Sequence, residues 1–386
     1  MNDYYITEEL ESEAWTAMTD ESLRAILLHA ASKKVSDIFF QTDCHVKIKK
    51  DNRVYAISRT PLSEFACKRA INILAGNDDA YISIMQGKPK NFSYRFKTKL
   101  QGGKRVQIIF RVNAIRDEPG VCISMRYNPS EIASLKDIGK TPEDPIYKNM
   151  FPRKGLVLVT GPTDSGKTTL LYACLREAIV DPERSFVLNT YESPIEGNLK
   201  LVARKNNVTN KLISQSEVPL ATPTFNDGLD ESLRRNSDII LTGEIRTSEE
   251  VKAVVNGVGK MGRLILGTLH TTTISNCVNR MTTSIDGSEG EKRAMSYDLI
   301  EGLHMVVAQA LLETTDGKRV AVSEYLVFTN KIKARLHKVG MENYSSELKK
   351  IMVEKGNTIV DDAKMKLQEG RISQYEFDKF VETSGY

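Results

Sequence analysis

Residues 161–168 read Gly-Pro-Thr-Asp-Ser-Gly-Lys-Thr and follow the apolar run Leu156-Val157-Leu158-Val159-Thr160. This is the spacing G-x-x-x-x-G-K-[ST], placed where a strand hands over to a helix. Each residue type has a chemical reason to be there. Gly161 and Gly166 let the backbone curl until successive N–H groups converge on phosphate oxygens. Lys167 has the reach for the β- and γ-phosphates, and the Thr168 hydroxyl suits Mg²⁺. A helix starting near Lys167 adds its positive N-terminal end. The stretch Gly161, Pro162, Thr163, Asp164, Ser165, Gly166, Lys167, Thr168 and Thr169 is therefore expected to hold ATP with Mg²⁺. It also demands an α/β sheet around it.

The rest of the chain alternates in the manner such a sheet needs. Apolar strands are expected at 156–160, 185–190, 238–242, 264–268 and 319–327, separated by helical segments, which predicts a mostly parallel sheet over residues 154–330. Ahead of it, residues 19–127 read as a small α+β domain. Short strands are expected at 36–40, 46–48 and 54–57, with Asp51-Asn52 as a tight turn between the last two. A helix follows near 63–75, then a hairpin of 105–115 and 121–127 around Asp117-Glu118-Pro119-Gly120. Residues 1–18 are polar and acidic and read as an arm. Residues 128–153 carry four prolines and little periodicity, and read as a linker. Residues 331–386 read as a polar, lysine-rich helical region with breaks at Gly356 and Gly370.

Composition narrows the functional classes. The formal net charge of +4 is the small difference between 54 basic and 50 acidic side chains, too mild to mark a nucleic-acid groove. The five cysteines are scattered with no CxxC pair, which fits a reducing cytosol better than a disulfide framework or a zinc site. Residues 1–5 lack the apolar core of a signal peptide. No run approaches the ~18 apolar residues of a membrane span, so contact with a membrane is expected to go through partners.

Three further segments end in chemistry at the expected strand termini. Tyr191-Glu192-Ser193-Pro194-Ile195-Glu196 follows strand 185–190, and carboxylates there sit where a metal and an attacking water belong. The alternative is a loop of solvated acids. Asp238-Ile239-Ile240-Leu241-Thr242-Gly243-Glu244 is an apolar strand ending in a carboxylate, which suits a contact of Glu244 with Mg²⁺ through water or a role in orienting the nucleophile. His270 stands at the mouth of strand 264–268 among hydroxyl residues, which favours a γ-phosphate sensor or a neighbour-contacting role over a core histidine. Arg111 and Arg126 lie on the two strands of the N-terminal hairpin. They are either ordinary surface arginines or an arginine finger lent to a neighbouring subunit's nucleotide.

Together these segments resemble the secretion ATPase superfamily, specifically its PilT-like branch. The stretch Gly155–Thr163, the Tyr191–Glu196 segment, the Asp238–Arg246 segment and Gly267–Thr272 are similar to the family's phosphate loop, Asp box, Walker B and His box. Phe110-Arg111-Val112-Asn113-Ala114 resembles its N-domain strand. The resemblance implies a PAS-like N-terminal domain and a RecA-like P-loop domain in a homohexamer, at the cytoplasmic face of a bacterial inner membrane. It implies that Glu192 orients or activates water with Glu196 in support. Glu244 would be the Walker B glutamate, His270 the His-box residue, and Arg111 and Arg126 would reach the nucleotide. Partners would be inner-membrane components of a secretion or conjugation apparatus, without specific nucleic-acid binding. Ser193 replaces the usual Asp, Arg263 stands where pilus enzymes carry a first His, and Asn330–His337 does not read as the retraction motif A-I-R-N-L-I-R-E. The Tyr-Glu-x-Pro-Ile-Glu form resembles the type IVB ATPases of Dot/Icm and IncI-type conjugative systems. A pilus retraction or assembly motor, a RecA- or helicase-like nucleic-acid motor and a nucleotide-gated scaffold are the competing readings.

Overall fold

The computed structural model describes residues 4–33, 35–50, 53–99, 105–128 and 131–385. The chain divides into two compact units between Glu131 and Ile132. The expected Asp51-Asn52 turn, Pro129 and the first three residues lie outside the described residues.

The first unit contains α1 (Glu8–Ala17), α2 (Asp20–Ser32), β1 (Asp37–Gln41), β2 (Lys47–Lys50), β3 (Arg53–Ala56), α3 (Glu64–Ala75), α4 (Ala80–Met85), β4 (Lys90–Lys99), β5 (Arg105–Arg116) and β6 (Val121–Asn128). The strands form one antiparallel sheet in the order β3-β2-β1-β6-β5-β4. In β5, Phe110, Val112 and Ala114 are buried while Arg111 between them is exposed, the period-2 signature of a sheet covered on one face. The covering layer includes Leu23, Ile26 and Leu27 of α2 and Cys67, Ala70 and Ile71 of α3.

Residues 4–18 depart from the expected arm. Ile6, Ala14 and Met18 are buried in the core, and the Trp15 indole N–H donates to the Pro61 carbonyl at 2.8 Å. Buried Glu11 accepts main-chain N–H bonds from Arg59 and Thr60 at 3.0 and 2.7 Å. Acidic composition conceals this segment because its apolar contacts are few and widely spaced.

The second unit contains α5 (Pro145–Lys148), β7 (Gly155–Thr160), α6 (Lys167–Val180), β8 (Phe186–Glu192), α7 (Leu199–Lys205), β9 (Lys211–Glu217), α8 (Phe225–Arg234), β10 (Ile239–Thr242), α9 (Ser248–Met261), β11 (Leu264–Leu269), α10 (Ile274–Thr283), α11 (Glu289–Gly302), β12 (Leu303–Glu313), β13 (Arg319–Val327), α12 (Asn330–Val339), α13 (Tyr344–Lys355), α14 (Ile359–Gln368) and α15 (Gln374–Ser384). Its sheet has the order β13-β12-β7-β11-β10-β8-β9, parallel except for the β12–β13 pair. β7, β10 and β11 are buried along their whole length, as parallel strands covered on both faces must be. Apolar residues of α6 and α7 cover one face, and those of α9, α10 and α13 the other.

Three strands were not foreseen, β4 in the first unit and β9 and β12 in this one. β12 follows α11 without a turn residue, and its apolar run is indistinguishable by pattern from a buried helix. β9 reads Lys-Leu-Ile-Ser-Gln-Ser-Glu, too polar for a strand signal. The expected linker 128–153 also differs. Leu135, Ile146, Tyr147 and Met150 are buried in the α6-side core, so most of that segment belongs to the second unit. The C-terminal region is helical, with Gly356 and Gly370 in the left-handed region at its breaks. Among the described residues, no helix is long and apolar enough to cross a membrane.

Candidate functional site

β7 delivers the chain to the C-terminal edge of the sheet, and the loop Gly161–Gly166 turns it into α6. Gly161 and Gly166 have φ of 156° and 79°. A side chain at Gly161 would also collide with the loop's surroundings, since its Cβ would lie 2.2 Å from the Gln309 carbonyl oxygen. The loop is thus pressed against β12, and the Gln309 amide donates to the Ser165 carbonyl at 2.8 Å. Gly166 caps α6 without any side-chain hydrogen bond, so the helix N-terminus keeps donors for an anion. The loop is a cradle of main-chain donors that a Cβ would fill, and it fits the phosphates of a nucleotide.

Lys167 is 7 % exposed. Its ammonium donates to the carbonyls of Gly161 at 2.8 Å and Pro162 at 2.7 Å. Burial lowers its pKa, opposed by the carboxylates of Glu244, Glu196 and Asp164. A cation partly stripped of water and held on neutral carbonyls is poised for an anionic partner.

His270 follows β11 directly. Its Nδ1 lies 3.4 Å from the Lys167 ammonium and its Nε2 3.1 Å from Glu244 Oε1. An ammonium only donates, so Nδ1 accepts and the ring proton on Nε2 points at the carboxylate. Glu244 closes the chain by pairing with Arg246. Burial pushes the Glu244 carboxyl up, but Arg246 and His270 outweigh it and hold the group below the ordinary carboxylate range. Thr271 N–H donates to the Thr160 hydroxyl at 2.9 Å, which ties the loop after His270 to the end of β7. Lys167, His270 and Glu244, expected from three distant segments, are therefore brought together. His270 is exposed, which removes the core-histidine reading. Thr168 and Glu244 supply hard oxygen donors, the right chemistry for Mg²⁺ shared with phosphate.

Glu192 ends β8 and is 4 % exposed. Its Oε2 accepts from the Tyr172 hydroxyl on α6. Its Oε1 accepts from the Thr190 hydroxyl at 2.5 Å and from the Gln215 amide at 3.4 Å. Burial raises its carboxyl to about 7 in spite of these donors. The 193–198 turn is clamped by Gln215, which donates to the Gly197 carbonyl at 2.9 Å and accepts from Leu199 N–H at 2.8 Å. Glu196, on that turn, is half-buried.

Arg111 and Arg126 lie in the first unit, directly opposite each other in the β5–β6 register. Both are exposed, and Arg126 pairs with Asp37 at 3.0 Å.

Sequence reasoning missed Tyr172, Gln215, Arg246 and Gln309. Arg246 falls two residues after Glu244 and was open to inspection. The other three act from positions that no local pattern marks.

A phosphate loop at the edge of a largely parallel sheet, with lysine, histidine and glutamate converging above it, defines a P-loop protein of the mixed α/β ATPase fold. The chain belongs to the type II/IV secretion system protein family, whose model matches residues 13–379. The type IV pilus retraction ATPase PilT of Pseudomonas aeruginosa is 30 % identical over 311 residues, covering 80 % of this chain and 83 % of that one. The crystal structure of the Legionella pneumophila ATPase DotB is 30 % identical, with a TM-score of 0.78 over 94 % of this chain and 95 % of that one. DotB of Yersinia pseudotuberculosis, 24 % identical, shares the fold with a TM-score of 0.79 over 99 % and 96 % of the two chains. The chain is thus a PilT-like traffic ATPase close to the type IVB branch.

Proposed function

We propose that this chain is a motor subunit that hydrolyses ATP in a six-membered ring at the cytoplasmic face of an inner membrane, powering a type IVB-like secretion or conjugative transfer system. The carrying observation is the chain of contacts Lys167–His270–Glu244 above an open phosphate cradle. It supplies a cation for the β- and γ-phosphates, the Glu244 carboxylate for Mg²⁺, to which the Thr168 hydroxyl would add a second oxygen, and an imidazole that senses both. Bound Mg²⁺ supplies charge neutralisation on the phosphate oxygens.

In this reading Glu192 is the proton acceptor for the attacking water. Its carboxyl near 7 is matched to neutral operation. Glu196 supports it and adds negative charge near Lys167. Arg111 and Arg126, on the exposed face of a PAS-like first domain, reach a neighbouring subunit's nucleotide. Hinge motion in this reading takes place where the two units divide, between Glu131 and Ile132.

The test is ATPase rate against protein concentration, with sizing by light scattering with and without ATP and Mg²⁺. A per-subunit rate that climbs as hexamers form supports the ring motor. A concentration-independent monomer rate overturns it. Pilus retraction is the second reading, favoured by the 30 % identity to PilT across most of both chains. Twitching restored by this chain in a host lacking its retraction motor would select it.

A further inference from the structure

We propose that Tyr172 is a positioning residue that fixes the Glu192 carboxylate relative to the bound nucleotide. The proposal rests on the reading of Glu192 as the proton acceptor and adds the group that aims it.

The geometry is built into one helix. α6 carries Lys167 and Thr168 at its N-terminus, and Tyr172 one turn further on. Residues four apart share a helix face, so the phosphate contacts and the Tyr172 hydroxyl are set by the same rigid turn. That hydroxyl donates to Glu192 Oε2, a carboxylate on a different element, β8. Tyr172 itself is held on its far side. The Gly197 position admits no side chain, because a Cβ there would lie 2.7 Å from the Tyr172 ring. The ring is packed between α6 and the 193–198 turn, and it is buried.

Lone-pair counting shows what this leaves open. An ionised carboxylate has about four acceptor positions. Thr190 and Gln215 occupy two on Oε1, and Tyr172 occupies one on Oε2. One position on Oε2 remains for a water, and its direction is dictated by where Tyr172 holds that oxygen. The groups facing the carboxylate are Tyr172 from α6, Thr190 within β8, and Gln215 with Glu217 from β9, Glu217 being opposite Glu192 in register. Gly243, beyond β10, approaches the Glu192 backbone, and Glu196 lies on the following turn. Tyr172 is the one donor among them that is rigidly linked to the phosphate loop.

The test compares steady-state ATPase kinetics of the full-length chain, of Tyr172→Phe, and of protein carrying 3-fluorotyrosine at 172. Tyr172→Phe deletes the donor. The Glu192 carboxyl then rises, and the acid limb of the kcat profile moves to higher pH. At pH 7 kcat falls roughly tenfold, the loss of one hydrogen bond to a charged group, with KM for ATP within about twofold. The fluorinated ring keeps its shape but donates more strongly, so the same limb moves to lower pH. Binding of a fluorescent ADP analogue verifies that each variant is folded. An acid limb that stays in place in both variants overturns the proposal, and so does a kcat loss equal at every pH. Glu192→Gln separates the two claims. If it turns over ATP like the parent, the proton-acceptor reading fails. If it is inactive while Tyr172→Phe keeps the parent profile, only the positioning role fails.

Discussion

Lys167 and His270, 103 residues apart in the chain, meet with 3.4 Å between the ammonium and Nδ1. His270 also touches Glu244, so one imidazole joins the Lys167 ammonium to the Glu244 carboxylate. Replacing His270 with Ala should leave nucleotide binding within about threefold, because the cradle is main chain. Turnover should fall by roughly a hundredfold, the usual loss when a positioned polar group is removed from a charged transition state. Phosphate release measured alongside ADP-analogue binding checks both halves. Lys167→Ala should abolish binding as well.

The raised carboxyl of Glu192 makes a stability prediction with a definite sign. Its folded value, about 7, lies above the ordinary carboxylate range. Between those two values the folded chain keeps a proton that the unfolded chain has lost. Stability therefore declines as pH rises through that window and levels off above about pH 7. The size is on the order of 3 kcal/mol for this group alone. Glu192→Gln removes the group, so its unfolding free energy in urea should change less between pH 5 and pH 8 than that of the parent. Equal slopes for the two proteins would contradict a perturbed Glu192.

How much of this was legible follows from the kind of signal each part leaves. The phosphate loop is contiguous, and its glycines are required by local backbone geometry, so Gly161–Thr168 could be read directly. Glu192, Glu244 and His270 were legible as candidates because each stands at or just past the end of an apolar strand, a position that topology assigns to ligands. Their grouping is different in kind. The Lys167–His270 contact depends on β7 and β11 being neighbours, and strand order is not written in periodicity. Tyr172 looks like any apolar residue on the buried face of α6. Its role appears only once β8 is packed against that helix. Gln309 lies on β12, a strand the pattern did not resolve at all.

That strand carries a prediction of its own. The Gln309 amide holds the Ser165 carbonyl, and its main-chain oxygen leaves no room for a Cβ at Gly161. Gln309→Ala should loosen the loop without unfolding it, weakening ADP binding by several-fold, the equivalent of about 1 kcal/mol for one hydrogen bond. Gly161→Ala faces both a main-chain collision and an unfavourable φ, and it should eliminate binding and lower stability by about 1–3 kcal/mol. Calorimetric titration with ADP and thermal melts distinguish the two variants. Equal, mild effects would mean that β12 does not brace the loop.

Arg111 and Arg126 separate by their surroundings rather than by sequence. They face each other across β5 and β6, an arrangement that costs energy unless a counter-charge is near. Asp37 provides it for Arg126 at 3.0 Å. Asp37 is largely buried, so Arg126→Ala strands a carboxylate and should destabilise the chain by about 1 kcal/mol. Arg111→Ala relieves a like-charge pair and should be neutral or slightly stabilising. If both arginines serve a neighbour's nucleotide, each variant should lose ATPase activity in the assembled ring. Each should still bind nucleotide normally when dilute and dissociated. Mixing either variant with Lys167→Ala subunits, which keep their arginines but bind no nucleotide, then decides the geometry. Recovery of activity in the mixed rings means that the arginine acts between subunits. No recovery at any mixing ratio confines it to its own chain.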